Sequence, residues 1–139
     1  MAQYLIVTNK TAEAPEIRGK VGELAAADPE AEFAILVPAD PSDNYTWEGE
    51  TVDVARQNAE ALRAGLEGAG VKVGRIAVGV DDPIQAIADE LRTHDAYSTL
   101  VICTLPLGVS RWLRLDLVHH AERRFGLPVI HIVGTTVSA

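Results

Sequence analysis

Five short apolar runs are spaced along the chain, and each is rich in β-branched residues and bounded by turn-forming ones. Runs of this length and composition predict strands that are buried on both faces of a sheet. They cover residues 4–8, 33–37, 71–80, 99–103 and 128–133. Amphipathic stretches lie between them, so the pattern predicts strands that alternate with helices.

Three of the intervening stretches show one apolar helical face. The first follows Pro15, which suits a first helical turn, and ends at Asp28-Pro29. The third begins at Pro83, directly after the acidic Asp81 and Asp82. The apolar positions are Ile17, Val21, Leu24 and Ala25 in the first helix, Val52, Ala55, Ala59, Leu62, Leu66 and Ala69 in the second (residues 52–69), and Ile84, Ile87, Ala88 and Leu91 in the third.

The segment of residues 110–124 has two interpretations. Leu113, Leu115 and Leu117 alternate with polar residues, which is a strand pattern. Leu113, Leu117 and Ala121 also fit one face of a helix. We favour the helix, because a further strand would interrupt the alternation of strands and helices.

Strands that are joined by helices run parallel, and their crossovers are right-handed. The pattern therefore predicts one α/β domain over residues 1–139, with an open five-stranded parallel sheet and helices on both faces. Residues 38–50, which include Tyr45 and Trp47, fit no regular element. Long loops of this kind are either surface connections or lids over a ligand, and both interpretations stay open.

Composition and charge narrow the classes of function. The chain has 139 residues, a net charge of −8 and a pI near 4.9, which argues against nucleic acid or an anionic membrane as a partner. A single cysteine excludes an intrachain disulfide framework. The apolar run near the amino terminus is too short for a signal peptide, and no run is long enough to span a membrane. We therefore expect a soluble cytoplasmic protein.

The strongest indication of a ligand site follows the fourth strand. The strand leads into Thr104, Pro106, Gly108 and Ser110, which are small or turn-forming, and then into the segment for which we favour a helix. Open α/β sheets bind ligands at such places, because strand carboxyl ends and helix amino ends meet there and free backbone N–H groups collect. We expect a small anionic ligand to bind here.

Motifs of common enzymes are missing from the sequence. It contains no G-x-G-x-x-G, no P-loop and no G-x-S-x-G nucleophile motif. Cys103 lies at the end of a buried strand with no evident base nearby, so we interpret it as an inert packing residue. Without a visible pair of nucleophile and base, a non-catalytic protein is favoured.

The histidines raise the question of a metal site. Asp116 and His120 are spaced to share a helix face, but the adjacent His119 and His120 point in different directions. Histidine near a helix carboxyl terminus also interacts well with the helix dipole. We therefore favour surface or packing roles for the four histidines, His94, His119, His120 and His131.

The chain resembles the universal stress protein (UspA-like) family over nearly its whole length. The resemblance rests on the alternating strands and helices, on Gly79 followed by Asp82-Pro83-Ile84, and on residues 104–116 followed by LPVIHIV. The resemblance implies a Rossmann-like fold of the adenine-nucleotide-hydrolase-like superfamily, with sheet order 3-2-1-4-5. It also implies a bacterial cytoplasmic homodimer. We expect its subunits to pair through the fifth strand, from Pro128 to Val133, because an apolar edge of this length needs cover.

The family's nucleotide-binding signature is Gly, two residues, Gly, nine residues, then Gly and a hydroxyl residue. With one residue of slack in the spacing, the opening glycine and the hydroxyl residue after it fall on Cys103-Thr104, the second glycine on Pro106, and the closing glycine and hydroxyl residue on Leu115-Asp116. Thr104 keeps a hydroxyl group, whereas the three glycines are lost.

The resemblance places the candidate site at the carboxyl ends of the first and fourth strands. Asn9 falls where the family often has Asp, and Val37-Pro38 fall where adenine usually rests. Gly108 and Ser110 lie inside the loop and can partly replace the lost glycines. The candidate binding residues are Thr8, Asn9, Val37, Pro38, Thr104, Gly108, Ser110 and Arg111.

Two residues at the end of the signature predict that ATP binds weakly or not at all. The side chain of Leu115 blocks close approach of phosphate, and Asp116 repels it, although Arg111 and Arg114 offset part of the repulsion. Three functions stay open at this point. They are a dimeric stress or interaction module without a nucleotide, a module that binds ATP or another adenine nucleotide in the cleft, and, least favoured, an enzyme on the same scaffold.

Overall fold

A computed structural model describes residues 3–8, 15–38, 48–79, 83–94, 97–104 and 117–133. Within these residues, strands and helices alternate as the sequence pattern predicts. In chain order they are β1 (Gln3–Val7), α1 (Pro15–Ala27), β2 (Glu32–Pro38), α2 (Glu48–Gly68), β3 (Val73–Gly79), α3 (Pro83–Thr93), β4 (Thr99–Thr104), α4 (Leu117–Phe125) and β5 (Val129–Val133).

The five strands form one sheet in the order β3-β2-β1-β4-β5, and each neighbouring pair is parallel. The predicted strand order is confirmed. The central strands β1, β2 and β4 are buried on both faces, which is why they consist of continuous apolar runs rather than alternating ones. None of the described helices is long and apolar enough to cross a membrane.

Two layers of apolar side chains fill the space between the sheet and its helices. On one face, α1 and α2 cover the sheet, and Ile17, Leu62 and Leu66 pack against β-strand residues such as Ile35. On the other face, α3 and α4 cover it, and the side chains of Ile87 and Ala121 belong to that cluster. The sheet is therefore the middle of three layers.

The second helix begins earlier than its apolar pattern predicts. The structure places its start at Glu48, four residues before Val52, so part of the predicted loop of residues 38–50 is helical. Residues 48–51 carry no apolar periodicity, but acidic residues at a helix amino end interact favourably with the helix dipole. Pro38 belongs to β2, and the predicted roles of Tyr45 and Trp47 lie outside the described residues.

The ambiguous segment is helical where the structure describes it. Leu117 begins α4, and Ala121 is fully buried against the sheet, as the helical interpretation predicts. The earlier part of the segment, residues 110–116, lies outside the described residues. In α3 the apolar stripe differs slightly from prediction, because Ala86 is buried where Ala88 was expected, and Ala88 is half-buried.

One irregularity in β3 determines which of its side chains face which helices. Phe33 of β2 pairs with Val73, but the next residue, Ala34, pairs with Arg75, so Gly74 is an extra residue in β3. Such a bulge changes which side chains share a face. Val73, Ile76 and Val78 consequently pack together on the side of α2, despite their irregular spacing. Arg75 is directed instead toward α3.

Candidate functional site

The predicted ligand site lies where β1, β2 and β4 end. Thr8 follows the last residue of β1 and is fully buried, and its N–H donates a hydrogen bond to the Leu36 carbonyl of β2 (3.1 Å). This bond extends the pairing of β1 and β2 by one step beyond Val7. The first of the predicted site residues is therefore held rigidly at the edge of the sheet.

The neighbouring strand ends contribute the other described candidates. Val37 and Pro38 end β2 and are both buried. The side chain of Val37 belongs to the apolar cluster beneath α2, so it contributes to core packing rather than to a ligand surface. Thr104 ends β4 and pairs with Val133 of β5. The structure thus brings Thr8, Val37, Pro38 and Thr104 to one edge, as the sequence predicts.

The remaining predicted site residues are Asn9, Gly108, Ser110 and Arg111, and they lie outside the described residues. The same holds for Leu115 and Asp116, which close the family signature. Their assignment to the site stays a prediction from the sequence.

A close contact fixes α3 beside this edge. Gly79 ends β3, and a Cβ atom added there would lie 2.6 Å from the Cβ of Ala86 and 3.3 Å from Cδ1 of Leu36. Real Cβ atoms do not approach each other this closely, so glycine allows α3 to pack directly on the end of β3. The first turns of α3, which begins at Pro83, are positioned by this contact.

The chemistry of the cysteine and histidines is limited. Burial raises the pKa of Cys103, whose side chain is 1% exposed, so its thiol stays protonated at neutral pH. His119 and His120 are exposed on α4, and His131 lies on β5. Among the residues that the structure describes, no group of three or more histidine, cysteine or acidic side chains is arranged to hold a metal ion.

At the opposite edge of the sheet, the structure contains a polar network that the sequence analysis does not predict. Arg75 of β3 donates from Nε to Oε2 of Glu90 (2.8 Å) and from Nη2 to Oε1 (3.2 Å). The Tyr97 hydroxyl donates to Oε2 of the same carboxylate (2.7 Å). Nδ1 of His94 lies 3.7 Å from that oxygen. The network joins β3, the end of α3 and the segment that leads into β4.

Glu90 is ionised in this environment. Burial alone would raise its pKa, but the hydrogen bonds from Arg75 and Tyr97 outweigh burial and leave the pKa below its usual value. For Tyr97, burial and the bond to Glu90 both raise the pKa, so its hydroxyl remains a donor. Because both carboxylate oxygens are occupied by protein donors, we interpret the network as a structural clamp rather than a ligand site.

Two signals in the sequence could have indicated this clamp. Glu90 lies three residues after Ile87, on the buried face of α3, and Arg75 interrupts the apolar residues of β3. A buried acid and a basic residue in a strand usually require each other. Their pairing is not predictable from periodicity, because it depends on the bulge at Gly74.

The strand order and the helices on both faces of the sheet place the chain among the doubly wound α/β proteins. No protein-family model and no curated protein sequence matches this chain. Similarity is found at the level of solved structures, and it is to universal stress proteins.

Three of these structures span almost the full chain. A universal stress protein from Archaeoglobus fulgidus is 15% identical, with a TM-score of 0.65, and the match covers 95% of this chain and 93% of that one. A protein from the universal stress protein family of Burkholderia pseudomallei is 18% identical, with a TM-score of 0.62, covering 94% and 95%. A universal stress protein in complex with cAMP is 20% identical, with a TM-score of 0.57, covering 94% and 96%. The chain has the universal-stress-protein fold.

Proposed function

We propose that this protein is a single-domain universal-stress-protein-like module that acts in stress response or regulation as a homodimer, without catalysing a reaction. One observation carries the proposal. The five-stranded sheet has the order β3-β2-β1-β4-β5, and structures of universal stress proteins match it over 94–95% of the chain. The proposal includes a cytoplasmic role in a bacterium, which is what the sequence resemblance implies.

The proposal includes weak or absent binding of ATP at the edge formed by Thr8 and Thr104. The sequence has Leu115 and Asp116 where the family has glycine and a hydroxyl residue. Each like-charge pair between Asp116 and the triphosphate at about 4 Å costs on the order of 1–4 kcal/mol, at an effective dielectric constant of roughly 20 to 80. That cost corresponds to as much as about a thousandfold in affinity.

Calorimetric titration with ATP tests this part of the proposal. We expect no measurable binding at micromolar concentrations for the unmodified protein. The double variant Leu115→Gly, Asp116→Ser should bind ATP at least about tenfold more tightly, because it removes both the steric block and one negative charge. A circular dichroism melt confirms that the variant is folded. ATP binding at micromolar or better by the unmodified protein would contradict the proposal.

A second candidate function is the binding of an adenine nucleotide other than ATP. One structure with this fold is a universal stress protein in complex with cAMP. A cyclic monophosphate carries one negative charge, so the repulsion expected from Asp116 is smaller than for a triphosphate. Native mass spectrometry of the purified protein, followed by titration with cAMP and with ATP, distinguishes the candidates. A co-purified adenine nucleotide other than ATP, or tight binding of cAMP alone, would favour the second candidate.

The homodimer is proposed to form through β5. This strand lies at the end of the sheet and contains four apolar residues and His131. Natural proteins usually protect such edges with charges, proline or a partner. The Leu100 N–H donates to the Pro128 carbonyl (3.0 Å), so by the alternation of a parallel ladder the backbone groups of His131 are directed to the outer edge.

Light scattering at micromolar concentration tests the dimer. We expect a dimer for the unmodified chain and a monomer for His131→Pro, since proline removes an outward N–H without removing one from the ladder with β4. The matched control is His131→Gln, which keeps the N–H and should remain dimeric. A monomeric unmodified protein, or a His131→Pro variant that stays dimeric, would contradict pairing through β5.

A further inference from the structure

The sequence of β5 reads the same in both directions. Val129, Ile130, His131, Ile132 and Val133 are symmetric about the histidine. Ile130 and Ile132 pack on the side of α1, and Val129 belongs to the cluster on the side of α4. Because side chains alternate between faces, His131 lies on the same side as Val129. An antiparallel pairing of two copies about His131 therefore sets identical residue types opposite each other.

A twofold axis requires this opposite direction. In a closed dimer, the same surface of each subunit meets itself. Two identical edge strands related by such an axis pair antiparallel, so that each N–H meets a carbonyl. Pairing centred on His131 uses all five residues of β5 and places isoleucine opposite isoleucine and valine opposite valine.

We propose, resting on the homodimer proposed above, that His131 lies opposite the partner's His131 at the dimer axis and that protonation of this pair dissociates the dimer. Residues directly opposite each other in an antiparallel pair have Cα atoms about 4.5 to 5.5 Å apart. Two imidazolium groups at that spacing repel each other, whereas two neutral rings pack without cost.

The surroundings of His131 favour its neutral form. Burial of part of the ring lowers its pKa. Within the sheet it pairs with Ile102, which carries no charge. The helix on its face, α4, carries the exposed side chains His119, His120, Glu122, Arg123 and Arg124. On the opposite face, α1 carries the exposed Arg18, Lys20 and Glu23. His131 is the one ionisable group within β5 itself.

The expected pH dependence is opposite to the general electrostatic trend of the chain. With a net charge of −8 and a pI near 4.9, two copies repel each other less as the pH falls from neutral toward 5. Without the histidine pair, acidification should therefore strengthen the dimer. Protonation of His131 acts in the other direction, in the window below its lowered pKa, because dissociation takes up two protons.

Sedimentation equilibrium between pH 7.5 and 5.5 tests the proposal. For the unmodified chain we expect the dimer dissociation constant to rise about tenfold or more over this range. For His131→Gln, the dimer dissociation constant should stay unchanged or fall as the pH is lowered. The double variant His119→Gln, His120→Gln keeps His131 and should behave like the unmodified chain, which separates the proposed pair from the histidines of α4.

The register has its own test. His131→Cys should form a disulfide-linked dimer on mild oxidation, because the two substituted residues face each other across the axis. Val129→Cys is the matched control and should not crosslink, since it opposes the partner's Val133. The native Cys103 is 1% exposed and does not compete.

The outcomes separate this proposal from the one on which it rests. A monomer at every pH overturns both. A dimer whose dissociation constant does not rise on acidification, or that loses its pH dependence in the His119→Gln, His120→Gln variant, overturns only the role of His131. Crosslinking of Val129→Cys in place of His131→Cys overturns the register. The proposal is supported if the dimer dissociation constant rises on acidification, if His131→Gln abolishes that rise, and if His131→Cys crosslinks.

Discussion

The guanidinium of Arg75 binds both carboxylate oxygens of Glu90, and this pair ties the edge strand β3 to the covering helix α3. Glu90 is 5% exposed, whereas the Arg75 side chain is 41% exposed and partly solvated. The two residues therefore contribute unequally. Loss of the acid leaves a cation that water can still reach, whereas loss of the base leaves a buried charge with Tyr97 and His94 as its remaining partners among the described residues.

Substitution of this acid is expected to lower stability at neutral pH. Glu90→Gln removes the charge from a buried site that has three donors, and we expect it to cost about 1–3 kcal/mol of the free energy of unfolding. Urea denaturation at pH 7 measures it. Glu60→Gln, on the exposed face of α2, is the matched control and should stay within about 0.5 kcal/mol of the unmodified chain.

The same acid predicts how stability depends on pH. Because the folded-state pKa of Glu90 lies below its unfolded value, its contribution is present above about pH 4.5 and is lost as the pH falls through the folded pKa. Urea denaturation at several pH values below 5 should show a shallower decline for Glu90→Gln than for the unmodified chain. Equal slopes for the two proteins would show that Glu90 is not held ionised by its partners.

Tyr97 should behave as a buried phenol. Its hydroxyl donates to Glu90 at 2.7 Å, and burial raises its pKa. We expect Tyr97→Phe to cost about 1–2 kcal/mol, as loss of a hydrogen bond to a charged group usually does. In an ultraviolet titration of the folded protein, this variant should lose one tyrosine that ionises above the ordinary range. If the variant keeps that late transition, the assignment to Tyr97 is wrong.

The close approach of Gly79 to Ala86 predicts a steric effect of known sign. Gly79→Ala places a methyl group where only 2.6 Å is available, and we expect it to cost about 1–3 kcal/mol by overpacking. Gly19→Ala is the matched control, because Gly19 is an exposed residue of α1 with nothing within 4 Å of the new Cβ, and this change should stabilise the protein by about 0.5–1 kcal/mol. Thermal denaturation compares the two variants. If both changes shift the stability in the same direction, the close contact between Gly79 and Ala86 is contradicted.

Cys103 should be unreactive in the folded protein. Its thiol is buried, so a reagent cannot reach it, and burial raises its pKa, so it stays protonated at pH 8. We expect a colorimetric thiol reagent to label one thiol only after denaturation. Glu60→Cys, at an exposed position of α2, should add one thiol that reacts immediately. Rapid native labelling of the unmodified chain would indicate that β4 opens locally.

The five strands could be predicted because their local sequence pattern is clear. Runs such as residues 4–8 and 33–37 are continuously apolar, and only strands covered on both faces need that composition. The order itself also needed the resemblance to a family, since the alternation of elements is compatible with more than one arrangement.

The clamp and the exact helix limits were not predictable for a physical reason. Periodicity reports which residues face the core, but it does not report which buried polar groups meet. The partners Arg75 and Glu90 lie on different elements, and only tertiary packing brings them together. Of the candidate site, Thr8, Val37, Pro38 and Thr104 could be placed at one edge because they directly follow or end strands, which the apolar pattern locates well.

The extra residue in β3 has a consequence for how this chain is compared with others. Side chains of β3 alternate between the two faces of the sheet, and the extra residue Gly74 shifts this alternation by one position. If Gly74 instead occupied an ordinary paired position, Ile76 would turn toward α3 and Arg75 toward the apolar side of α2. A comparison that aligns β3 without a gap therefore matches inward-facing residues with outward-facing ones from this point on. Gly74 shifts the strand by one position, and any relative without the shift needs an insertion here before its residues correspond.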